Sequence, residues 1–212
     1  MTVQEAVLAT AKELLQKGLV EGTSGNVSGR MDDGNVCVTP SSIPYETMTL
    51  DDLVVVDLDG NVLAGDRSPT TEKALHLACY RAYPEVGGVI HSHARFATMF
   101  ALVREPVPAA IEEVVVYIGG DVPVCDYRTT GSDELGEEVA RRLTDRSAAL
   151  LANHGMVTIG ATPAKALHAA AVVERTAEIV WGARALGRIQ DIPAEVNENF
   201  AGVYRLMREA SM

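Results

Sequence analysis

Two tight turns do most to limit what this chain can fold into. Asp32-Asp33-Gly34 stands between the glycine-rich stretch Glu21 to Arg30 and the run Asn35 to Thr39, and Asp59-Gly60-Asn61 stands between Leu53 to Asp57 and Val62 to Ala64. Runs of this kind joined by so few residues read as β-hairpins. The remaining chain interleaves short β-branched runs with apolar stripes at helical spacing, so one structure must accommodate both periods. Val3, Val7, Ala11, Leu14 and Leu15 form the first stripe, with Gly18 as its stop. Further helices are expected over Lys73 to Tyr83, Arg95 to Val103, Ser132 to about Leu143, Pro163 to about Leu186 behind a Thr162 cap, and about Ala194 to Arg208. Strands are expected up to His93, at Val114 to Tyr117, Val122 to Val124, Ala148 to Ala152 and Met156 to Ile159, while Trp181 and the alanines before it read as packing.

With 212 residues, 47% of them hydrophobic, the chain can bury one core, and no linker divides it. One domain spanning 1–212 is expected. Early charges at Glu5, Lys12 and Glu13 leave no secretory apolar core, and no apolar run approaches membrane-spanning length, so the expected location is cytoplasmic. Cys37, Cys79 and Cys125 lie far apart, which suits buried thiols rather than disulfides or a thiolate zinc site. A net charge of −11 argues against nucleic-acid or membrane partners, whose phosphates need a positive footprint. An anionic metabolite would need local capture by backbone N–H groups, hydroxyls and a metal.

His91-Ser92-His93 is where such a metal could sit. Alternate strand residues share a face, so both imidazoles could hold one first-row ion once a third donor arrives. Alone, the same pattern fits two hydrogen-bonded strand histidines. His154, between Asn153 and Gly155, stands at a strand end, either as a turn histidine or facing whatever lies at the sheet edge. Ser68-Pro69-Thr70-Thr71-Glu72 opens a helix; Glu72 either complements its dipole or stands beside an anion held by hydroxyls and free N–H groups, ready for proton transfer. Gly22 and Gly25 are turn residues or points of close backbone approach to a ligand, with Thr23 and Asn26 as donors. His76, four residues after Glu72, and His168 read as structural.

Taken together, Thr23-Ser24-Gly25-Asn26-Val27-Ser28, Thr39-Pro40-Ser41-Ser42-Ile43-Pro44-Tyr45, Thr70-Thr71-Glu72, His91-Ser92-His93 and Asn153-His154-Gly155 make the chain resemble the class II (zinc) aldolase/epimerase family from its first helix to its last. The resemblance implies an α/β fold: a three-layer α/β/α domain with a mixed, mostly antiparallel sheet, assembled as a homotetramer with active sites near subunit boundaries. It implies His91, His93 and His154 as ligands of one Zn²⁺ per subunit, with Mn²⁺ the alternative. Glu72 becomes the carboxylate that ligates the metal in the empty enzyme and moves protons. Thr23, Asn26, Ser41, Ser42, Thr70 and Thr71 become the phosphate cradle.

The implied reaction is cleavage of a ketose 1-phosphate to dihydroxyacetone phosphate and an aldehyde through a zinc-stabilised enediolate, nearest within the family to the branch acting on L-fuculose 1-phosphate. Ser42 replaces a glycine of that branch, and Thr70-Thr71 replace a serine pair. Glu113 stands where the branch has a tyrosine that protonates the aldehyde oxygen, making it a second catalytic candidate. Tyr204 matches a tyrosine that closes the site. A ribulose-phosphate 4-epimerase and a sugar-phosphate dehydratase share the same metal and cradle, and from another class an adducin-like scaffold shares the fold. A scaffold has no reason to keep three histidines and Glu72 together.

Overall fold

The computed structural model describes residues 1–210, so the last two residues of the expected 1–212 span lie outside the described ones. The expected hairpins are present. β1 (Asn26–Arg30) pairs with β2 (Val36–Val38), and β3 (Val54–Val56) with β4 (Val62–Ala64), all antiparallel. With β5 (Gly88–Ser92), β6 (Val124–Cys125), β7 (Ala148–Leu151) and β8 (Gly155–Gly160) they form one sheet in the order β4-β3-β2-β1-β5-β8-β7-β6. Among the described residues only the β6–β7 pair is parallel.

Alternation along the strands sorts side chains onto two faces. Val27, Cys37, Ile90, Leu150 and Met156 join one apolar cluster, and Val36, Val38, Val89, Leu151 and Val157 join another. Helices α1 (Val3–Gln16), α3 (Arg95–Val103), α4 (Glu112–Ile118), α6 (Pro163–Leu186) and α7 (Ala194–Glu209) contribute to the first cluster, and α2 (Lys73–Ala82) and α5 (Asp133–Arg142) to the second. The result is the expected three-layer arrangement. Helix starts follow the cap chemistry: Thr2 and Glu5 form a capping box on α1, and Ser132 and Thr162 accept backbone N–H bonds at the starts of α5 and α6.

Two expectations fail. Val114 to Tyr117 is helical rather than extended: Val114, Val115 and Ile118 share the buried side of α4, which packs against α6 and α7, and Gly119 ends the helix with φ 99°. Burial of that face outweighs the β preference of the valines. Trp181, expected in packing, is 57% exposed and touches the ring of Phe96. All three cysteines are buried free thiols, as expected.

Candidate metal centre

His91 lies in the middle of the sheet, opposite Asn26 on β1 and Val157 on β8. Two glycines allow the neighbours to come this close. A Cβ at Gly25, whose φ is +73°, would fall 2.7 Å from the His91 carbonyl oxygen, and one at Gly155 would fall 2.4 Å from that of Ser92. Gly25 therefore serves the approach of backbone to backbone, and Gly22, expected to share its role, faces open space. His93 follows the strand end, where α3 begins; the Phe96 and Ala97 N–H groups donate to the Glu174 carboxylate of α6 at 2.9 and 2.8 Å, fixing that turn. His154 comes from the β7–β8 hairpin, in which Asn153 adopts φ 58° and accepts a hydrogen bond from Arg104.

These separate elements bring three imidazoles and a carboxylate together. The ligating atoms of His91, His93 and His154 lie within 4.8 Å of one another. His91 Nε2 is 2.9 Å from His93 Nε2 and 3.1 Å from Glu72 Oε2, and His154 Nε2 is 3.4 Å from Glu72 Oε1. His91 Nδ1 sits 3.0 Å from the Met156 carbonyl, which can only accept, so Nδ1 carries a hydrogen and Nε2 is the nitrogen turned inward. A lone pair and a carboxylate oxygen at 3.1 Å repel unless a proton or a cation lies between them. Glu72 Oε1 is buried with no hydrogen-bond partner, a costly arrangement that a divalent cation among these groups would relieve. The donor set fits such an ion.

The electrostatics agree. Burial, then the neighbouring His91 ring, depress the His93 and His154 pKa values, the latter to about 4, so both rings are neutral at pH 7 as metal ligands must be. Burial alone would raise the Glu72 carboxyl, but the His91 ring, the Asn26 amide and the His154 ring outweigh it and hold the group at about 2. Glu72 is thus ionised throughout the physiological range.

The hydroxyl-bearing loops meet beside Glu72. Ser41 N donates to the Ser68 carbonyl and Thr70 N to that of Thr39, while Ser41 Oγ donates to the Pro69 carbonyl at 2.9 Å. Tyr45 OH reaches the Gly25 carbonyl at 2.7 Å, joining the loop that carries Thr23. Thr70 is buried and accepts from Glu72 N; Thr23, Ser42 and Thr71 are exposed. Ser42 has φ 61°, a left-handed conformation that explains why a glycine would suit the position. Asn26, expected as a phosphate donor, gives an N–H to Glu72 Oε2 at 3.0 Å, and its Oδ1 lies 2.5 Å from His76 Nε2. Sequence reading left His76 out of the site, although its spacing from Glu72 already put both on one side of a helix.

Two expected catalytic residues are not gathered here. Glu113 is at the exposed start of α4, 3.4 Å from Arg175, rather than in a closed, dry pocket. Tyr204 is buried at the opposite end of β7 from His154, bonded to Ser147 and Arg208. It packs where Gly119 lacks a side chain.

A profile of the family described as "Class II Aldolase and Adducin N-terminal domain" matches residues 5–181. A 5-methylthioribulose-1-phosphate/5-deoxyribulose-1-phosphate aldolase of Escherichia coli O45:K1 is 39% identical over 176 residues, covering 82% of this chain and 81% of that protein. An L-fuculose phosphate aldolase of Escherichia coli O6:H1 is 36% identical over 173 residues, covering 82% and 80%. A solved structure of an L-fuculose 1-phosphate aldolase superposes with a TM-score of 0.90 at 33% identity, covering 96% of both chains.

Proposed function

Since the chain belongs to the class II aldolase and adducin N-terminal domain family, we propose that it is a metal-dependent aldolase cleaving a ketose 1-phosphate to dihydroxyacetone phosphate and an aldehyde. The observation that carries this reading is the convergence of three imidazoles on a carboxylate whose Oε1 is buried without a partner. His91, His93 and His154 hold the ion, which we take to be Zn²⁺, since imidazole ligands suit it and the chemistry is not redox. Bound there, it supplies the Lewis acidity that makes a carbon next to a carbonyl acidic.

The chain's own residues do the rest. Glu72, ionised and with Oε2 held by Asn26, offers Oε1 to take a proton from the dihydroxyacetone phosphate carbon in the addition direction and to return it in cleavage. Thr23, Ser42, Thr70, Thr71 and the remaining N–H of Asn26 bind the phosphate, a local capture that the chain's negative charge makes necessary, while Ser41, whose N–H and hydroxyl donate to the Ser68 and Pro69 carbonyls, ties the cradle loops together and reaches the phosphate only by releasing Pro69. The reading includes a homotetramer of a cytoplasmic protein acting as one domain; the free cysteines suit a reducing compartment. Glu113, away from its own chain's histidines, can act as the acid for the aldehyde oxygen only at a neighbouring subunit's site. Tyr204, bonded inside its own fold, keeps a structural role in this scheme.

The relatives' names divide the choice of sugar between L-fuculose 1-phosphate and the 5-deoxy and 5-methylthio ribulose 1-phosphates. Incubating zinc-loaded protein with each ketose and resolving the products tests the proposal: dihydroxyacetone phosphate plus an aldehyde is expected, and an epimer or a dehydrated ketone as the sole product would replace the aldolase reading with one of its two rivals. No conversion of any ketose phosphate would remove it. Each single change His91→Ala, His93→Ala or His154→Ala is expected to lose the ion by metal analysis.

A further inference from the structure

Behind Glu72 and Asn26 lies a row of buried polar side chains, His76, Ser28 and Tyr80, that metal binding and phosphate capture do not use. Glu72, His76 and Tyr80 stand four residues apart on one side of the start of α2 and its length, and Asn26 and Ser28 stand two apart on the face of β1 that meets it. Four helical residues rise about 6 Å and two strand residues about 6.7 Å, so the two rows stay in step. Asn26 Nδ2 is 3.0 Å from Glu72 Oε2, Asn26 Oδ1 is 2.5 Å from His76 Nε2, His76 Nδ1 is 2.6 Å from Ser28 Oγ, and Ser28 Oγ is 2.8 Å from Tyr80 OH. Asn26 is 4% exposed and the other three 1% or less.

Chemistry fixes the direction of every bond. Asn26 Nδ2 donates to Glu72 Oε2, which leaves the amide oxygen facing His76. His76 Nε2 therefore carries the hydrogen, and its Nδ1 lone pair accepts from Ser28. Ser28 in turn accepts from Tyr80. All four donors point toward Glu72. The other His76 tautomer would set a lone pair against Asn26 Oδ1 in a site without water to compensate. Burial, ahead of the repulsion from His91, keeps the ring neutral.

We propose that His76 is a positioning residue for the reaction: its Nε2–H captures Asn26 Oδ1, fixes the amide with Nδ2 toward Glu72, and so leaves Oε1 as the carboxylate atom free to move the proton. Ser28 and Tyr80 set the tautomer that makes this possible. The inference rests on reading Glu72 as the proton-moving group, and it separates His76 from a histidine that only fills space.

Two arms test it on the full-length protein. Selective ¹⁵N-histidine labelling, in metal-free and zinc-loaded samples and assigned with His76→Gln, is expected to show His76 as the neutral Nε2–H tautomer. Glu72→Gln removes the charge at the far end of the row and is expected to shift that Nε2–H resonance. An Nδ1–H tautomer, or a resonance indifferent to Glu72→Gln, overturns the proposal. In the second arm, a glutamine amide reaches the place of Nε2 and an asparagine amide only that of Nδ1. His76→Gln is expected to keep kcat within a few-fold, while His76→Asn lowers kcat roughly ten- to a hundred-fold with KM and zinc content unchanged. Equal kcat in the two variants overturns it. Wild-type protein that converts no ketose phosphate removes the activity reading, and the tautomer and its response to Glu72→Gln then decide the row by themselves.

Discussion

At the scale of single residues, the site depends on histidines kept neutral by burial, and this carries a cost in acid. His76 is pushed down to about 3 and His154 to about 4, both from 6.5, chiefly by burial. Below pH 6.5 the unfolded chain binds protons on these rings that the folded metal-free protein does not, so stability falls as pH falls, until each folded value is reached. Glu72, held at about 2 against 4.5, adds a loss of the same sign below about pH 4.5. Each shifted histidine removes about 1.4 kcal/mol per pH unit across its window. Urea melts of the metal-free protein at pH 7.5, 6 and 5 are expected to show midpoints that drop with each step below 6.5; a flat series would mean that the rings titrate normally in the fold. His76→Gln, which removes the most depressed ring, is expected to flatten part of the slope.

At the scale of elements, the metal centre depends on how closely β5 and β8 approach. A Cβ at Gly155 would lie 2.4 Å from the Ser92 oxygen and 3.0 Å from His93 Cδ2. Gly155→Ala is expected to cost about 1–3 kcal/mol by denaturant melts, and also to weaken zinc binding because it displaces His93; unchanged zinc affinity would show that the ligands tolerate movement of the strand end. The same scale shows what could be read from sequence. α3 was legible from end to end because its apolar spacing agrees with the tertiary packing, and α6 because Thr162-Pro163 marks its start and its alanine-rich run has no breaker before Gly187 apart from the tolerated Gly182. α4 was not: Val114-Val115-Val116 favours a strand locally, and only α6 and α7, distant in sequence, make the helical face worth burying. His91, His93 and His154 were legible as a set through family motifs, since nothing local in Asn153-His154-Gly155 says that its hairpin ends beside β5. The bonds of Asn26 with Glu72 and His76 needed the β1–α2 contact, which no single-segment pattern contains. Glu113 and Tyr204 were placed by alignment of motifs alone, and neither reaches the histidines of its own chain.

At the scale of the whole molecule, α3 and α6 leave an apolar surface uncovered next to the site. The Phe96 and Trp181 rings meet at a tilt of 48°, Met99, Leu102 and Val103 are exposed on the same α3, and α3 starts two residues after His93. Covering this surface in the proposed tetramer would set another subunit's groups at the rim of the site. Wild-type protein is expected to sediment as a tetramer and Trp181→Glu as a smaller species with reduced kcat/KM; a monomeric wild type would contradict the assembly and, with it, the role given to Glu113. Among the described residues no helix is long and apolar enough to cross a membrane. The central claim, that three histidines and Glu72 form a metal-dependent centre for removing a carbon-bound proton, is tested most directly by solvent exchange. Zinc-loaded wild type in D₂O is predicted to put deuterium at the hydroxymethyl carbon of dihydroxyacetone phosphate, whereas Glu72→Gln, still holding zinc through the three histidines, leaves that carbon unlabelled. Undiminished exchange in Glu72→Gln, or none in the zinc-replete wild type, would contradict the account.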